Sequence, residues 1–231
     1  MSRLNVRRIF AVTGAIALVL GASLLAACSG PPEGSAVWYE NQAYKLSKAG
    51  DYKGAIEVYT KAIEVEPAMA ALYVNRAAAY ASLEKFDLVI ADCTKAVSLD
   101  PKLAVAYINR AYAYNSTGSY EQAIKDSDKA IDLGKNVAEA YVNRAYSYLQ
   151  LGDAERAVAD CNEAIELNPN LATAYFHRGF ALENLGKKEE AIADFNTFIQ
   201  LSNNPALVEK ARQEIQKLTQ SGATSAVYSK P

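Results

Sequence analysis

Three cysteines and one histidine are the side chains in this sequence best suited to nucleophilic or metal chemistry. Cys28, Cys93 and Cys161 stand far apart, and His177 is the only histidine among the 231 residues. No two of them have the CxxC or HxxxH spacing that brings metal ligands together. The sequence also has no serine-nucleophile or phosphate-loop motif. We therefore predict a protein that is not an enzyme and that needs neither a metal nor a cofactor.

The segment that ends at Cys28 is typical of an export signal. Three arginines lie within the first eight residues, and residues 9–27 carry no charge. The run Leu25-Ala26-Ala27-Cys28 resembles the bacterial lipoprotein box. This resemblance implies cleavage before Cys28, a diacylglyceryl group on its thiol, and a protein that is exported and lipid-anchored to the cell membrane or the outer membrane. The alternative is an uncleaved transmembrane helix, because 19 uncharged residues nearly span a bilayer.

Four asparagines and the histidine recur at a spacing of 34 residues. They are Asn41, Asn75, Asn109, Asn143 and His177. An amide offers both a donor and an acceptor, so a row of amides can pair with a peptide backbone whatever the side chains of that peptide. Three residues after these positions stand mostly aromatic residues: Tyr44, Tyr112, Tyr146 and Phe180. The pattern favours peptide binding, and the alternative is that the asparagines serve only helix packing.

Opposite charges recur with the same period. The arginines are Arg76, Arg110, Arg144 and Arg178, and the aspartates are Asp92, Asp126, Asp160 and Asp194. Both types are missing from the first copy, which has Gln42 and Val58 instead. Because they are missing together, we predict an Arg–Asp ion pair between the two helices of each later copy. The alternative is an arginine row that binds an anionic ligand.

These positions belong to a 34-residue repeat that runs without insertion from Ala36 to Pro205. Apolar residues recur at helical spacing in each copy, and a glycine interrupts most copies near the middle. Each copy is therefore predicted to form two antiparallel helices, with small residues where the helix axes approach closely. The pattern resembles the tetratricopeptide repeat (TPR). That resemblance implies an all-α, right-handed solenoid of antiparallel helix pairs.

The repeat register divides the chain into segments. We predict a signal peptide at 1–27, a lipidated cysteine and tether at 28–35, five TPR copies at 36–69, 70–103, 104–137, 138–171 and 172–205, a capping helix at 206–219 and a loose tail at 220–231. The tether is rich in Pro, Gly and Ser and is predicted not to pack. The capping helix has one polar face, as the end of a helical stack requires.

Cys93 and Cys161 occupy equivalent positions in copies two and four. Helices packed about 8–10 Å apart place them beyond the roughly 7 Å between Cα atoms that a disulfide allows. We predict that both are buried small apolar side chains. The alternative is a pair of redox-active thiols or a cross-link to a partner.

In TPR proteins the first helix of each pair lines a concave groove that receives an extended peptide or a partner helix. The resemblance implies that the asparagine and aromatic columns line such a groove here. Six nearby apolar residues are predicted to be exposed unless something covers them: Val37, Val74, Val105, Ile108, Val142 and Phe176. Chaperone-type carboxylate clamping is not expected, because Glu40, Val105 and Asn109 stand where that site needs basic residues.

The formal charge of −2 gives no basic excess for binding nucleic acid. The predicted function is a membrane-anchored adaptor that binds a protein or peptide partner and helps to assemble or localise an envelope complex. The alternative is a structural protein that self-associates through its repeat edges. The sequence does not determine the oligomeric state.

Overall fold

A computed structural model describes residues 30–134 and 137–227 of the chain. These residues form two compact units, which we call body 1 (30–134) and body 2 (137–227). The predicted signal segment, the lipidation site Cys28 and the last four residues lie outside the described part. Within it there are eleven α-helices and no strand, so the predicted all-α class of paired helices is confirmed.

Body 1 contains six helices that contact one another in chain order. They are α1 (Ala36–Lys48), α2 (Tyr52–Val65), α3 (Ala70–Ser82), α4 (Phe86–Leu99), α5 (Ala104–Thr117) and α6 (Tyr120–Leu133). Body 2 contains α7 (Ala138–Gln150), α8 (Ala154–Leu167), α9 (Ala172–Asn184), α10 (Lys188–Leu201) and α11 (Pro205–Val227). Short turns join contacting helices, so each pair is antiparallel.

The turn inside each pair depends on one residue with a left-handed backbone. Four pairs use glycine there, as at Gly50 with φ 82° and Gly186 with φ 75°. Glycine suits this conformation because it has no Cβ to meet the following carbonyl. In the second pair Glu84 takes the same role with φ 56°, and Lys85 N–H donates to Tyr80 O at 3.0 Å across the turn. This backbone bond pattern ends the first helix and starts the second.

Small side chains occupy the buried contact positions between helices. Ala43, Ala55 and Ala62 are fully buried in the first pair, and the later pairs repeat this arrangement. One fully buried column varies more widely in size: Tyr59, Cys93, Ser127, Cys161 and Phe195. Such tight packing explains Gly179, where an added Cβ would lie 2.8 Å from a Phe195 ring atom. Helix axes therefore approach closely, as the repeat pattern predicts.

The structure adds detail at both ends of the repeat region. The tether is ordered from Pro32, because Ser35 N–H and Ser35 Oγ both donate to Pro32 O, at 3.1 and 2.7 Å. Of its two glycines, Gly34 supplies the positive φ of 79° that this turn needs. Likewise, the predicted loose tail from residue 220 is helical as far as Val227. Loss of apolar periodicity does not end a helix when no proline interrupts its backbone hydrogen bonds.

Candidate peptide-binding site

The asparagine column of body 1 is largely buried. Asn75 and Asn109 are 2% and 1% exposed, whereas Asn41 on α1 is exposed. Asn75 Nδ2 donates to Glu40 Oε1 at 3.0 Å, which links α3 to α1. Asn109 Nδ2 is buried without any hydrogen-bond acceptor. The equivalent asparagines therefore have three different environments, and Asn109 is the one with an unused donor.

The corresponding residues of body 2 are also buried. Asn143 on α7 and His177 on α9 are both 8% exposed. The His177 ring lies 5.4 Å from the Tyr146 ring between centroids and 5.9 Å from Phe176. Burial, aided by the positive charge of Lys210, lowers the pKa of His177 from 6.5 to about 4. His177 is therefore a neutral imidazole among aromatic rings at neutral pH.

The four predicted aromatic residues differ in exposure. Tyr44 and Phe180 are partly exposed, and Tyr112 and Tyr146 are buried. Burial raises the pKa of Tyr112 to about 12, the Ser116 hydroxyl opposes the rise, and the Glu84 charge adds to it. Phe180 contacts Phe176 and Phe195, each at 5.0 Å between ring centroids.

Four of the six apolar residues predicted to be exposed unless something covers them are buried: Val74, Ile108, Val142 and Phe176. Val37 and Val105 are partly exposed. Neighbouring helices cover the buried ones: Val74 packs in a cluster with Ala96 and Ala106, and Phe176 packs with Phe198 and with Leu207 of α11. In these two cases the first helix is covered on this side by helices that follow it in the same body.

Every later pair of helices contains a two-point Arg–Asp ion pair. Arg76 Nε and Nη2 donate to the two carboxylate oxygens of Asp92, both at 2.8 Å. Arg110 with Asp126, Arg144 with Asp160 and Arg178 with Asp194 have the same geometry. These hydrogen bonds, opposed by burial, raise the pKa of Arg76. The charge of each arginine is therefore neutralised by an aspartate of the same helix pair.

Three of these arginines also reach the preceding pair of helices through Nη1. The contacts are Arg76 to Thr60 Oγ1 and Arg110 to Thr94 Oγ1, both at 3.0 Å, and Arg178 to Asn162 Oδ1 at 2.6 Å. Tyrosine rings lie beside each guanidinium, as with Arg110 at 5.6 Å from Tyr107 and 6.0 Å from Tyr114. Arg76, Arg110 and Arg178 thus join the two helices of their own pair and also bind the pair before.

Cys93 and Cys161 are fully buried free thiols. Burial is the largest cause that raises the pKa of each thiol well above its usual range. A thiol that stays protonated is a poor nucleophile. No group of three or more acidic, histidine or cysteine side chains in residues 30–134 and 137–227 could hold a metal ion. Nor is any helix in these ranges both long and apolar enough to cross a membrane.

Sequence reasoning did not anticipate the surroundings of two charged residues. Glu40 and Lys210 share a repeat position with the apolar residues Val74, Ile108, Val142 and Phe176. Glu40 is 4% exposed and accepts from Asn75, and Lys210 Nζ lies 4.9 Å from the Phe180 ring centroid. The signal was present, because a charge in an otherwise apolar column requires a specific partner.

A stack of antiparallel helix pairs fastened by internal ion pairs defines a repeat scaffold for protein interactions. Residues 70–103, 108–172 and 144–216 match families described as tetratricopeptide repeat, and residues 43–83 match one described as TPR repeat. The chain belongs to the tetratricopeptide-repeat family.

Three known proteins illustrate the similarity. The small glutamine-rich tetratricopeptide repeat-containing protein 2 of Saccharomyces cerevisiae is 45% identical over 51 residues, which is 22% of this chain and 15% of that protein. The crystal structure of MamA protein has a TM-score of 0.60 at 25% identity, over 75% of this chain and 95% of that one. The first TPR of Spaghetti (RPAP3), bound to the HSP90 peptide SRMEEVD, has a TM-score of 0.50 at 32% identity, over 51% and 93% of the two chains.

Proposed function

We propose that this protein is a lipid-anchored, non-enzymatic adaptor that holds extended segments of envelope proteins against its first helices. The main observation in support of this proposal is that Asn109 Nδ2 is a buried donor without an acceptor. Leaving such a donor unbonded costs roughly 1–3 kcal/mol. Because Asn109 is 1% exposed, a peptide must displace the side chains that cover it before its carbonyl can accept this hydrogen bond and recover part of that cost.

The surroundings of Asn109 support an extended peptide as that ligand. Val105 lies on the same helix one turn earlier and is partly exposed, as is Ser116 two turns later. The buried ring of Tyr112 packs edge-on against Phe86, with centroids 5.9 Å apart. Apolar and small polar surface around one free amide donor suits a chain held by its backbone.

The solved peptide complex of the similar Spaghetti TPR supports the same class of ligand. A chaperone-type carboxylate clamp is disfavoured here, because Glu40 lies beside Asn75 and would repel a carboxylate. The neighbouring position on α5 is the apolar Val105. We therefore propose recognition of peptide backbone rather than of a terminal carboxylate.

The lipid anchor rests on Leu25-Ala26-Ala27-Cys28 and on the charge pattern before it. Two or more acyl chains hold a protein stably on a bilayer. Mass spectrometry of the N-terminal peptide from membranes of the producing cells tests this step. We expect a diacylglyceryl-modified Cys28 at the mature N-terminus and an unprocessed chain for Cys28→Ser. An intact leader on the native protein would contradict the anchor.

The groove is tested with the full chain as bait in a detergent extract of the cell envelope. Partners are compared by quantitative mass spectrometry for the parent, for Asn109→Ala and for the matched control Asn196→Ala, whose side chain is exposed on α10. A synthetic peptide from the captured partner then gives affinities by fluorescence anisotropy. We expect Asn109→Ala to weaken binding by about 1 kcal/mol, roughly fivefold, and Asn196→Ala to leave it unchanged.

Thermal unfolding of each bait shows whether the variant is folded. Equal binding by a folded Asn109→Ala variant would contradict the role of this amide. If instead no partner binds and the size of the protein rises with concentration, the self-association alternative replaces the adaptor.

A further inference from the structure

One face of α1 is more exposed than the equivalent face of α3 and α5, the first helices of the next two pairs. Trp38, Asn41, Lys45 and Lys48 follow one another at helical spacing, so they share one face. We call these four residues the α1 outer face. Trp38 is partly exposed and the other three are exposed.

Three of the four equivalent positions on α3 and α5 are buried, whereas Ser82 and Ser116, which replace Lys48, are exposed and partly exposed. Leu72 and Ala106 replace Trp38, and Ala79 and Ala113 replace Lys45; none is more than 3% exposed. They are covered by the preceding helix pair, since α3 contacts α2 and α5 contacts α4. In body 1, α1 contacts α2 and α3 on its other sides. The α1 outer face is therefore the surface of body 1 where the described stack begins.

The chemistry of this face suits an anionic lipid surface. An indole ring is amphipathic and favours the headgroup layer, and lysine stems reach past apolar surface to place their charge there. Neither Lys45 nor Lys48 forms an ion pair with the described residues, and Lys48 Nζ lies 5.9 Å from the centroid of the Tyr44 ring. The one acidic residue of α1, Glu40, is buried with Asn75.

Two exposed acidic residues lie near this face in sequence. Glu33 is in the turn before α1, and Asp51 caps α2 by accepting from Gly54 N–H at 2.9 Å. They limit the net positive charge without occupying the stripe. A weak attraction is enough, because an attached lipid already holds the face at high effective concentration near the bilayer.

The ordered turn brings this face close to the point of lipid attachment. The chain is folded from Pro32, and Ser35 Oγ accepts from Trp38 N–H at 3.2 Å at the start of α1. Only residues 29–31 separate Cys28 from this turn. At about 3.5 Å per residue, Cys28 lies within roughly 14 Å of Pro32. Trp38 stands in the first turn of α1, so a lipid on Cys28 brings the α1 outer face to the headgroups.

We propose that the α1 outer face lies against the anionic phospholipid headgroups of the membrane that holds Cys28. This inference rests on the lipid anchor of the proposed function. A second copy is a poorer occupant, because a two-fold contact would bring four lysines together with no acidic residue on the stripe to pair with them. The contact orients body 1 with its first helix at the bilayer.

The chain contains a single tryptophan, so its fluorescence reports on this face alone. The lipid-modified full chain is purified from membranes, its Cys28 modification is verified by mass spectrometry, and it is placed in vesicles of phosphatidylcholine with or without phosphatidylglycerol. Lipids brominated near the headgroup quench a tryptophan that touches them. We expect blue-shifted Trp38 emission and strong quenching in the anionic vesicles, with several-fold less quenching in pure phosphatidylcholine or at high salt.

Two double variants separate the face from general surface charge. Lys45→Gln with Lys48→Gln should lose most of the quenching, and the control Lys61→Gln with Lys95→Gln, on the exposed sides of α2 and α4, should retain it. Circular dichroism checks that both fold.

Other outcomes would overturn the proposal in distinguishable ways. Unquenched Trp38 in a chain with modified Cys28 would reject the contact and leave the anchor standing. An unmodified Cys28 would reject the anchor and this inference with it. Equal loss of quenching in both double variants would reject the specific face. Shielding of Trp38 from aqueous quencher that grows with protein concentration, without vesicles, would assign the face to a second copy.

Discussion

Two asparagines in equivalent positions should respond differently to the same substitution. Asn75 donates to the buried carboxylate of Glu40, whereas the Asn109 donor has no acceptor. Asn75→Ala leaves a buried carboxylate short of a hydrogen bond, and Asn109→Ala removes an unbonded polar group. We expect Asn75→Ala to lower the free energy of unfolding by about 2 kcal/mol more than Asn109→Ala does. Urea denaturation measures both, and equal losses would contradict the assignment.

His177 should make body 2 sensitive to acid. Its pKa is lowered from 6.5 to about 4, chiefly by burial. The unfolded chain therefore takes up a proton before the folded one as the pH falls, so stability is lost between about pH 6.5 and pH 4. The loss should reach roughly 3 kcal/mol.

The control for this effect is His177→Asn, which supplies the residue of the other copies and cannot titrate. Carboxylates contribute to acid unfolding in both proteins, so the difference between their unfolding free energies isolates the histidine. We expect the parent to lose stability relative to the variant as the pH falls. A difference that stays constant with pH would exclude His177 as the cause.

At the scale of the elements, the turn between α3 and α4 contains a strained residue whose strain a substitution can relieve. Glu84 holds φ 56°, where the other pairs have glycine. A side chain in this region costs about 1 kcal/mol. We therefore expect Glu84→Gly to stabilise the protein by about 0.5–1 kcal/mol in urea denaturation.

The matched control is the reverse change at Gly50. Its φ is 82° and nothing lies within 4 Å of an added Cβ, so Gly50→Ala tests the backbone alone. It should destabilise the protein by about 1 kcal/mol. If both substitutions changed the free energy of unfolding in the same direction, the positive φ at these positions would not explain their effects.

The sequence predicted the elements better than the exposure of their surfaces. Alanine spacing and the turn glycines indicate paired helices because these are local requirements of backbone and close packing. Exposure of Val74 or Asn75 depends on which neighbouring helix covers the residue, and a single repeat does not contain that information. The paired loss of charge at Gln42 and Val58 was informative because both partners of one contact change together.

At the scale of the whole molecule, each pair after the first repeats one fastening device. An arginine joins its two helices through an aspartate, and in body 1 both Arg76 and Arg110 also reach the pair before. Tyrosine hydroxyls add a bond across the junction, as from Tyr73 to Pro67 O at 3.0 Å. Stability in such a stack is a sum of pair and junction contributions. The first pair has no Arg–Asp ion pair, because Gln42 and Val58 stand at these positions.

This asymmetry predicts the order of opening within body 1. In native-state hydrogen exchange of the full chain carrying Cys28→Ser, amides of α1 and α2 should exchange faster than those of α3 to α6, because fewer contacts must break to free them. Replacing Asp126 by Ala, with the exposed Asp132→Ala as control, should raise exchange in α5 and α6 toward that of the first pair. Unchanged exchange in Asp126→Ala would mean that the ion pairs do not set local stability. In vesicles, the α1 amides of the lipid-modified chain should instead be selectively protected from exchange. The same measurement therefore tests whether contact with the membrane stabilises the first helix pair.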